Sequence, residues 1–438
     1  TGLVEIRVSS AAGGTLLARI IHAVEQAQGS RAPTQQFVDR FASFYTPAVF
    51  ALALAVSLLT PWLLDWSWMQ AIYKALVLLV IACPCALVIS TPVTVVSGLA
   101  AAARRGILIK GGVHLEGARK IQAIALDKTG TLTQGRPELV ATEILPSGRE
   151  QTQMLRWACD LAGHSDHPVS QAIARGLCLQ GNGRLEGFTA LPGRGIEARA
   201  NGLRLLLGNH RLIEERGLCS AQIEARLAEH EAQGRTVTLL ACGDQVLAIF
   251  AVADRIKESS RQAIAELHAL GVASVMLSGD NAATAQAIAQ EAGIDDARGN
   301  LLPEDKLAAI EDMQRRYGFV AMTGDGINDA PALARADIGF AMGGAGTDTA
   351  MEAADVVIMN DDLRRIPEAI RLSRQTQAIL WQNITLALGI KAVFLLLALF
   401  NGATMWMAVF ADMGASLLVV FNGLRALGSS SEPLPPSG

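Results

Sequence analysis

Asp127-Lys128-Thr129-Gly130-Thr131-Leu132-Thr133 is the stretch on which the reading of this chain turns. Ahead of it, Leu115 to Leu126 is an amphipathic stretch that passes into a short apolar strand (Ile121, Ile124, Ala125, Leu126) ending at the carboxylate. Ligands of α/β sheets sit at such strand ends. A carboxylate placed there can take a phosphoryl group and hold it as an acyl phosphate, provided Mg²⁺ and a cation quench the charge. Lys128 and the hydroxyls of Thr129 and Thr131 are placed to help. The bland alternative is a strand-end aspartate solvated in a loop.

The rest of the chain bounds the setting. With 438 residues it is too long for one ordinary core and should hold two or three domains. A net charge of −4 and a pI near 6.0 give no reason to expect nucleic acid. The mean hydropathy of +0.32 is high for a soluble protein. Four stretches are apolar for the roughly 20 residues that a bilayer crossing needs: Phe44 to Leu64, Ala71 to Ala103, Ala378 to Phe400 and Met405 to Leu424. Short links, Asp65-Trp66-Ser67-Trp68 and Asn401-Gly402-Ala403-Thr404, make them two helical hairpins with aromatics crowding the turns. Arg104, Arg105 and Lys110 follow the second span and Arg364, Arg365, Arg371 and Arg374 precede the third. The positive-inside rule therefore puts the region between them in the cytoplasm. Six cysteines at irregular spacing give no disulfide framework.

Between the hairpins, short apolar strands alternate with helices over Gly111 to Thr133 and Asp254 to Asn360, as in Val272 to Leu277, Phe319 to Thr323, Ile338 to Ala341 and Val356 to Met359. That alternation is the pattern of a parallel, doubly wound sheet. Ser278-Gly279-Asp280 follows one of these strands, and Thr323-Gly324-Asp325-Gly326-Ile327-Asn328-Asp329 closes another. Asp325 and Asp329 suit Mg²⁺ as hard oxygen donors, and Lys306 in Pro303-Glu304-Asp305-Lys306 offers a second cation. Pro137 to about Ala253 is an insertion with its own grammar, read as a separate lobe.

The seven-residue stretch and these patches, in this order, resemble the P-type ATPases and their haloacid-dehalogenase-like phosphorylation domain. The resemblance implies an α-helical membrane domain plus an α/β phosphorylation domain carrying an inserted α+β nucleotide-binding domain. It implies Asp127 as nucleophile, with Lys128, Thr129, Thr131, Ser278, Asp280, Lys306 and Asn328 around the phosphate, and Mg²⁺ at Asp127, Thr129 and Asp325. The family usually has Thr where Ser278 stands, which keeps the hydroxyl. In the lobe, Ser165-Asp166-His167-Pro168, Pro192-Gly193-Arg194-Gly195 and Gly208-Asn209 resemble the heavy-metal branch, in which His167, Gly193, Gly195, Gly208 and Asn209 would surround the adenine of ATP. Many members carry a Glu where Ala162 stands; Glu186 or Asp160 is left open as a substitute. A histidine at a helix start is more often a cap.

Inside the second span lies Ala82-Cys83-Pro84-Cys85-Ala86. On a straight helix residues two apart point about 200° away from each other. Pro84 removes a backbone donor and breaks the helix, which turns both sulfurs toward one site and frees carbonyls. Asp412 and Lys391 lie in the last two spans, where a charge costs a few kcal/mol and needs a partner or a purpose. An ion pair between them is the structural reading. Two thiolates, one carboxylate and one ammonium sum to −2, a match for a divalent ion, and sulfur with one hard oxygen suits Zn²⁺, Cd²⁺ or Pb²⁺. Cys83-Pro84-Cys85 with Ser90-Thr91-Pro92, Asn383 before Lys391, and Asp412 two residues before Gly414 resemble the zinc/cadmium/lead-exporting members. That resemblance implies a transported metal at Cys83, Cys85 and Asp412 with Lys391 as counter-ion. Met413, about 100° round the helix from Asp412, is expected to pack.

The expected domains are 1–30, the remnant of an actuator domain with a strand over Gly2 to Val8 and a helix over Leu16 to Ala27; 31–110 and 371–428, the transmembrane hairpins; 111–136 with 254–370, the phosphorylation domain; 137–253, the nucleotide-binding domain; and 429–438, a disordered tail. The expectation is a monomeric integral protein of a bacterial plasma membrane that meets lipid, ATP, Mg²⁺ and a metal ion. The family's Thr-Gly-Glu actuator loop does not occur. The other reading is therefore a truncated or non-transporting relative that is phosphorylated but does not complete the cycle.

Overall fold

In the computed structural model of the chain, residues 32–177, 185–191, 193–200, 202–344, 347–400 and 404–428 are described. The expected strand Gly2 to Val8, the helix Leu16 to Ala27 and the tail 429–438 lie outside them. Contacts divide the chain into two compact units. One holds the residues up to Ile121 with Asp355–Asn360 and the chain from Arg365 on; the other holds Gln122–Ala354 with Asp361–Arg364.

The first unit is built on helices Pro33–Leu63, Trp68–Ala82, Cys85–Arg104, Arg365–Leu399 and Met405–Leu424. By length and composition they supply four stretches able to cross a membrane. Pro33 opens the first at a position where its missing N–H costs nothing. Ser67 and Gln70 form a reciprocal capping box at the second, which fixes the tight first hairpin. Thr404 caps the last, its hydroxyl accepting the Met407 N–H. Large apolar side chains such as Phe50, Trp62, Val96, Leu396, Phe410 and Phe421 are exposed, the reverse of a water-facing surface, while the backbone polar groups bond within the helices. The span from Ala71 to Ala103 is two helices separated at Cys83-Pro84, as the proline predicts, while one expectation changes: the third span starts at Arg365, more than three turns before its apolar run.

Ile107–Ile109 pairs antiparallel with Val356–Ile358. The latter was expected as one more strand of a parallel sheet, and its antiparallel partner was not foreseen. Gly106, at φ +74, makes the turn from the helix into Ile107. Glu368 receives both Arg105 (3.0 Å) and Arg365 (2.6 Å), so part of the basic flank is neutralised within the unit.

The second unit contains two sheets. In the first, five strands run parallel in the order Ile338–Met342, Val320–Gly324, Ala123–Asp127, Ala273–Leu277, Asp296–Arg298. Helices cover it: Ile310 and Met313 of Pro303–Tyr317 and Leu333 of Ala330–Arg335 pack on Ala123, Ala125, Val275, Val320 and Met322. Burial on both faces explains why these strands are almost continuously apolar. The second sheet has six antiparallel strands in the order Glu138–Ile144, Gln245–Ala253, Thr236–Cys242, Leu203–Gly208, Gly195–Ala200, Glu186–Leu191. Strand alternation sends Leu205 and Leu207 against Gln151–Gly163 and Pro168–Leu177, and Leu206 against His210–Glu215 and Ala221–Glu231. At the junction the Asp254 carboxylate accepts the Thr133 hydroxyl (2.6 Å) and the backbone N–H groups of Gly135 and Arg136, stapling outgoing to returning chain.

Candidate functional site

Register explains how the parallel sheet assembles a site. Asp127 lies opposite Leu277 and Leu126 opposite Thr323, so Asp127, Ser278 and Asp325 all emerge at one edge, past the carboxyl ends of three neighbouring strands. Asp127 is buried, and its Oδ2 accepts the Thr129 N–H at 3.0 Å. Lys306, also buried, donates to Asp127 Oδ1 and to Asp329 Oδ1, the latter at 2.7 Å. Gly130 has φ +70, and a side chain there would strike the Asp325 carboxylate; the loop needs glycine for both reasons. Lys257 holds that loop by donating to Gly130 O at 2.7 Å.

Oxygens of Asp127, Asp325 and Asp329 lie within 4.8 Å of one another. Burial, then the charge of Asp329, pushes the Asp127 carboxyl up to about 6 against the pull of Lys306. Burial, then the charges of Asp127 and Asp329, pushes Asp325 up to about 7. Burial alone would lower the Lys306 ammonium, but the two aspartates outweigh it and hold it above its ordinary value. Three hard oxygen donors that repel one another fit Mg²⁺. The Thr131 hydroxyl, fully buried and without a hydrogen-bond partner, is a polar group of the same loop left for a ligand.

Two expected members of the phosphate shell are otherwise engaged. Lys128 Nζ is paired with Asp280, which also accepts the Thr236 hydroxyl at 3.4 Å. Ser278 is buried, and its hydroxyl accepts the Asp280 N–H at 3.1 Å, closing a turn. Asn328 is exposed and bonds to none of these groups.

In the antiparallel lobe, Gly195 lies directly opposite Gly208. A side chain on Gly195, which has φ +152, would meet Leu207 O, and one on Gly208 would meet Leu212. Asn209 caps the next helix by accepting Leu212 N–H at 3.0 Å and donates to Gly193 O at 3.0 Å. Gly193, Gly195, Gly208 and Asn209 are thus one bare patch of backbone. His167 is not bonded to it. Its Nδ1 accepts the Val169 N–H at 3.3 Å, the capping role that a histidine at a helix start commonly has. Of the open acidic substitutes, Asp160 is buried in its helix and Glu186 is exposed at a strand start.

In the spans, the break at Pro84 has the predicted consequence. Lys391 Nζ donates to Ile81 O (3.2 Å), to Cys83 O and to Asp412 Oδ1 (3.1 Å), so the ammonium fills carbonyls that the broken helix frees as well as pairing with the carboxylate. Cys83 and Cys85 are joined as a disulfide, their Cα atoms 5.4 Å apart. Free thiols were expected; the sulfurs meet because Cys83 ends one helix and Cys85 starts the next. A metal held by both requires the reduced pair. A cavity of about 160 Å³ beside them is lined by Tyr45, Ile81, Pro84, Leu87 and Lys391 among others. Asn383 is fully buried, donating to Thr94 Oγ1 (3.2 Å) and accepting from Asn422 (2.8 Å), a polar bridge across three helices. Met413 is 64% exposed, so it faces away from the protein instead of packing within it.

Residues 121–337 match the haloacid dehalogenase-like hydrolase family. The chain is 45% identical to the zinc/cadmium/lead-transporting P-type ATPase of Escherichia coli over 431 residues, covering 97% of this chain and 57% of that protein. It is 43% identical over 433 residues to the cadmium-transporting ATPase of Staphylococcus aureus, covering 97% and 60%. It overlays the crystal structure of a zinc-transporting PIB-type ATPase in the E2.Pi state with a TM-score of 0.72 at 45% identity, covering 95% of this chain and 68% of that one. The chain belongs to the heavy-metal P-type ATPase family. It spans about three fifths of the length of the curated relatives it matches.

Within this P-type ATPase chain, two contributors to the phosphorylation loop were missed by sequence reasoning. Lys257 and Asp254 stand in Asp254-Arg255-Ile256-Lys257, directly after the strand that brings the inserted lobe back. Three charged residues in four at that re-entry were the available signal.

Proposed function

We propose that this ATPase chain exports divalent soft metal ions, Zn²⁺, Cd²⁺ and Pb²⁺, from the cytoplasm across a bacterial plasma membrane, driven by ATP through an aspartyl phosphate on Asp127. The observation that carries the proposal is one chain with both halves of the chemistry: a buried carboxylate, Lys306 and two further aspartates at a sheet edge, and Cys83, Cys85, Asp412 and Lys391 at a helix break in apolar spans. Relatives named as cadmium and zinc/cadmium/lead transporters favour the pump over the reading of a non-transporting phosphoprotein.

An Asp127 oxygen attacks the γ-phosphorus of ATP, the bond to the β-phosphate oxygen breaks, and ADP leaves with the electron pair. Lys306 touches the nucleophile, so it steadies the negative charge without having to move. Thr129 N–H holds Asp127 Oδ2 while Lys306 holds Oδ1, so both carboxylate oxygens are fixed in place. Asp127, Asp325 and the Thr129 backbone would hold Mg²⁺, which supplies charge neutralisation for the phosphoryl oxygens. Thr131 and Ser278 offer hydroxyls to the transferred group, while Lys128 reaches it only by leaving Asp280. The glycine patch and Asn209 receive the adenine end of ATP, with His167 Nε2 available beside its cap. In the spans, reduced Cys83 and Cys85 with Asp412 bind the ion. The ion replaces Lys391 as the partner of Asp412, and return of the ammonium expels it.

Two variants test the two halves. Asp127→Asn is expected to abolish acid-stable labelling from γ-labelled ATP; persistent labelling contradicts the catalytic assignment. Cys83→Ser with Cys85→Ser is expected to abolish Zn²⁺-stimulated turnover; unchanged stimulation contradicts the transport assignment.

A further inference from the structure

Away from the phosphorylation centre and the spans, the lobe holds a cluster of mixed metal donors that neither reading uses. Helix His210–Glu215 begins right after Asn209, and residues 216–220 lead back into Ala221–Glu231. This helical hairpin brings an imidazole nitrogen of His210, the sulfur of Cys219 and a carboxylate oxygen of Glu224 within 4.8 Å of one another. His210 Nε2 is 3.0 Å from the Glu224 carboxylate, and the Cys219 thiol donates to the same carboxylate. His210 Nδ1, on the other side of the ring, faces the buried Glu231 carboxylate at 3.6 Å.

We propose that this hairpin is a second metal site, binding one Zn²⁺ or Cd²⁺ through His210 Nε2, Cys219 Sγ and Glu224, with Glu231 orienting the imidazole. The donor set argues for the ion. One nitrogen, one sulfur and one carboxylate oxygen suit a borderline-soft dication, and a thiolate with a carboxylate carries the matching −2 charge. Binding breaks the S–H bond, forms the metal–sulfur bond and releases the proton to water. The arrangement round the histidine argues for it as well. Ligating histidines almost always donate their second N–H to a carboxylate, carbonyl or water, and Glu231, 3.6 Å from Nδ1 and just beyond hydrogen-bond distance, is the carboxylate on that side of the ring. All three ligands are partly exposed, so the ion has a path from solvent and room for a water as fourth ligand. The site is outside the spans and one residue from Asn209, and it stands or falls independently of the transport reading.

The test is equilibrium Zn²⁺ binding to the detergent-purified full chain carrying Cys83→Ser and Cys85→Ser, so that the span thiols do not contribute. The expected result is one bound Zn²⁺ per chain that Cys219→Ser and His210→Gln each remove, and that Glu231→Gln weakens by about 10- to 100-fold. Co²⁺ in its place should show a thiolate charge-transfer band that disappears with Cys219→Ser. Should the span variant fail to fold, the same comparison in the otherwise native chain should show one equivalent lost with Cys219→Ser. Binding stoichiometry and the Co²⁺ spectrum unaffected by Cys219→Ser and His210→Gln would overturn the proposal.

Discussion

A buried aspartate at about 6 and another at about 7 define the chemistry at the scale of the residue. Both lie above the ordinary carboxylate value, so between roughly pH 4 and 7 the native state holds protons that the unfolded chain has released, and stability falls as pH rises through that window. Without Mg²⁺, Asp325→Asn should therefore raise the thermal midpoint at pH 8 by a few degrees, since about 1 kcal/mol moves a domain of this size by about 2–4 °C. The gain should vanish near pH 4. Coincident melting curves at pH 8 would contradict the repulsion among the three carboxylates. Lys306 is the counterweight, and Lys306→Met should cost about 3–5 kcal/mol in denaturant unfolding, the usual result of removing one partner of a buried ion pair. A loss below 1 kcal/mol would mean that the ammonium is not needed there. Asp127 was legible from its seven-residue stretch, while Lys306 and Asp325 were readable only with it, since each of their patches alone is weak and their order along the chain supplied the signal. Lys257 and Asp254 were not, because their partners Gly130 and Thr133 lie more than a hundred residues away and only the returning strand brings them together. Lys128 shows the same limit: nothing in its own stretch reveals that Asp280 will claim its ammonium.

Among the elements, the helix break at Pro84 was legible because proline removes a backbone donor there, although Pro47, Pro61 and Pro92 lie within continuous helices; its freed carbonyls are where Lys391 binds. Pro84→Ala should let the helix run through, turning Cys83 and Cys85 about 200° apart. Cd²⁺ binding by the reduced spans, read from thiolate absorption, should then fall at least tenfold; unchanged binding would show that the break is not what gathers the sulfurs. Asn383 joins Thr94 and Asn422 inside the apolar helices, and Asn383→Ala should cost about 0.6–1.7 kcal/mol, the range for such bonds between membrane helices. Element boundaries were harder to read than element types. The third span begins at Arg365 because a helix continues through polar turns that hydropathy does not mark. Strand Asp296–Arg298 was missed because it has two charged residues in three.

For the whole molecule, strands alternating with helices pointed to the parallel sheet and paired apolar runs to the spans, since each pattern follows from burial on the faces it meets. The antiparallel pair Ile107–Ile109 with Val356–Ile358 was hidden, because three apolar residues carry no directional signal. The central claim is that metal held at Cys83, Cys85 and Asp412 governs phosphoryl transfer to Asp127, and a single labelling measurement tests it. With γ-labelled ATP and reduced protein in membrane vesicles, acid-stable label on Asp127 should rise when Zn²⁺ or Cd²⁺ is added, and Cys83→Ser with Cys85→Ser should erase that rise. Metal-stimulated labelling that survives loss of both thiols would contradict the account.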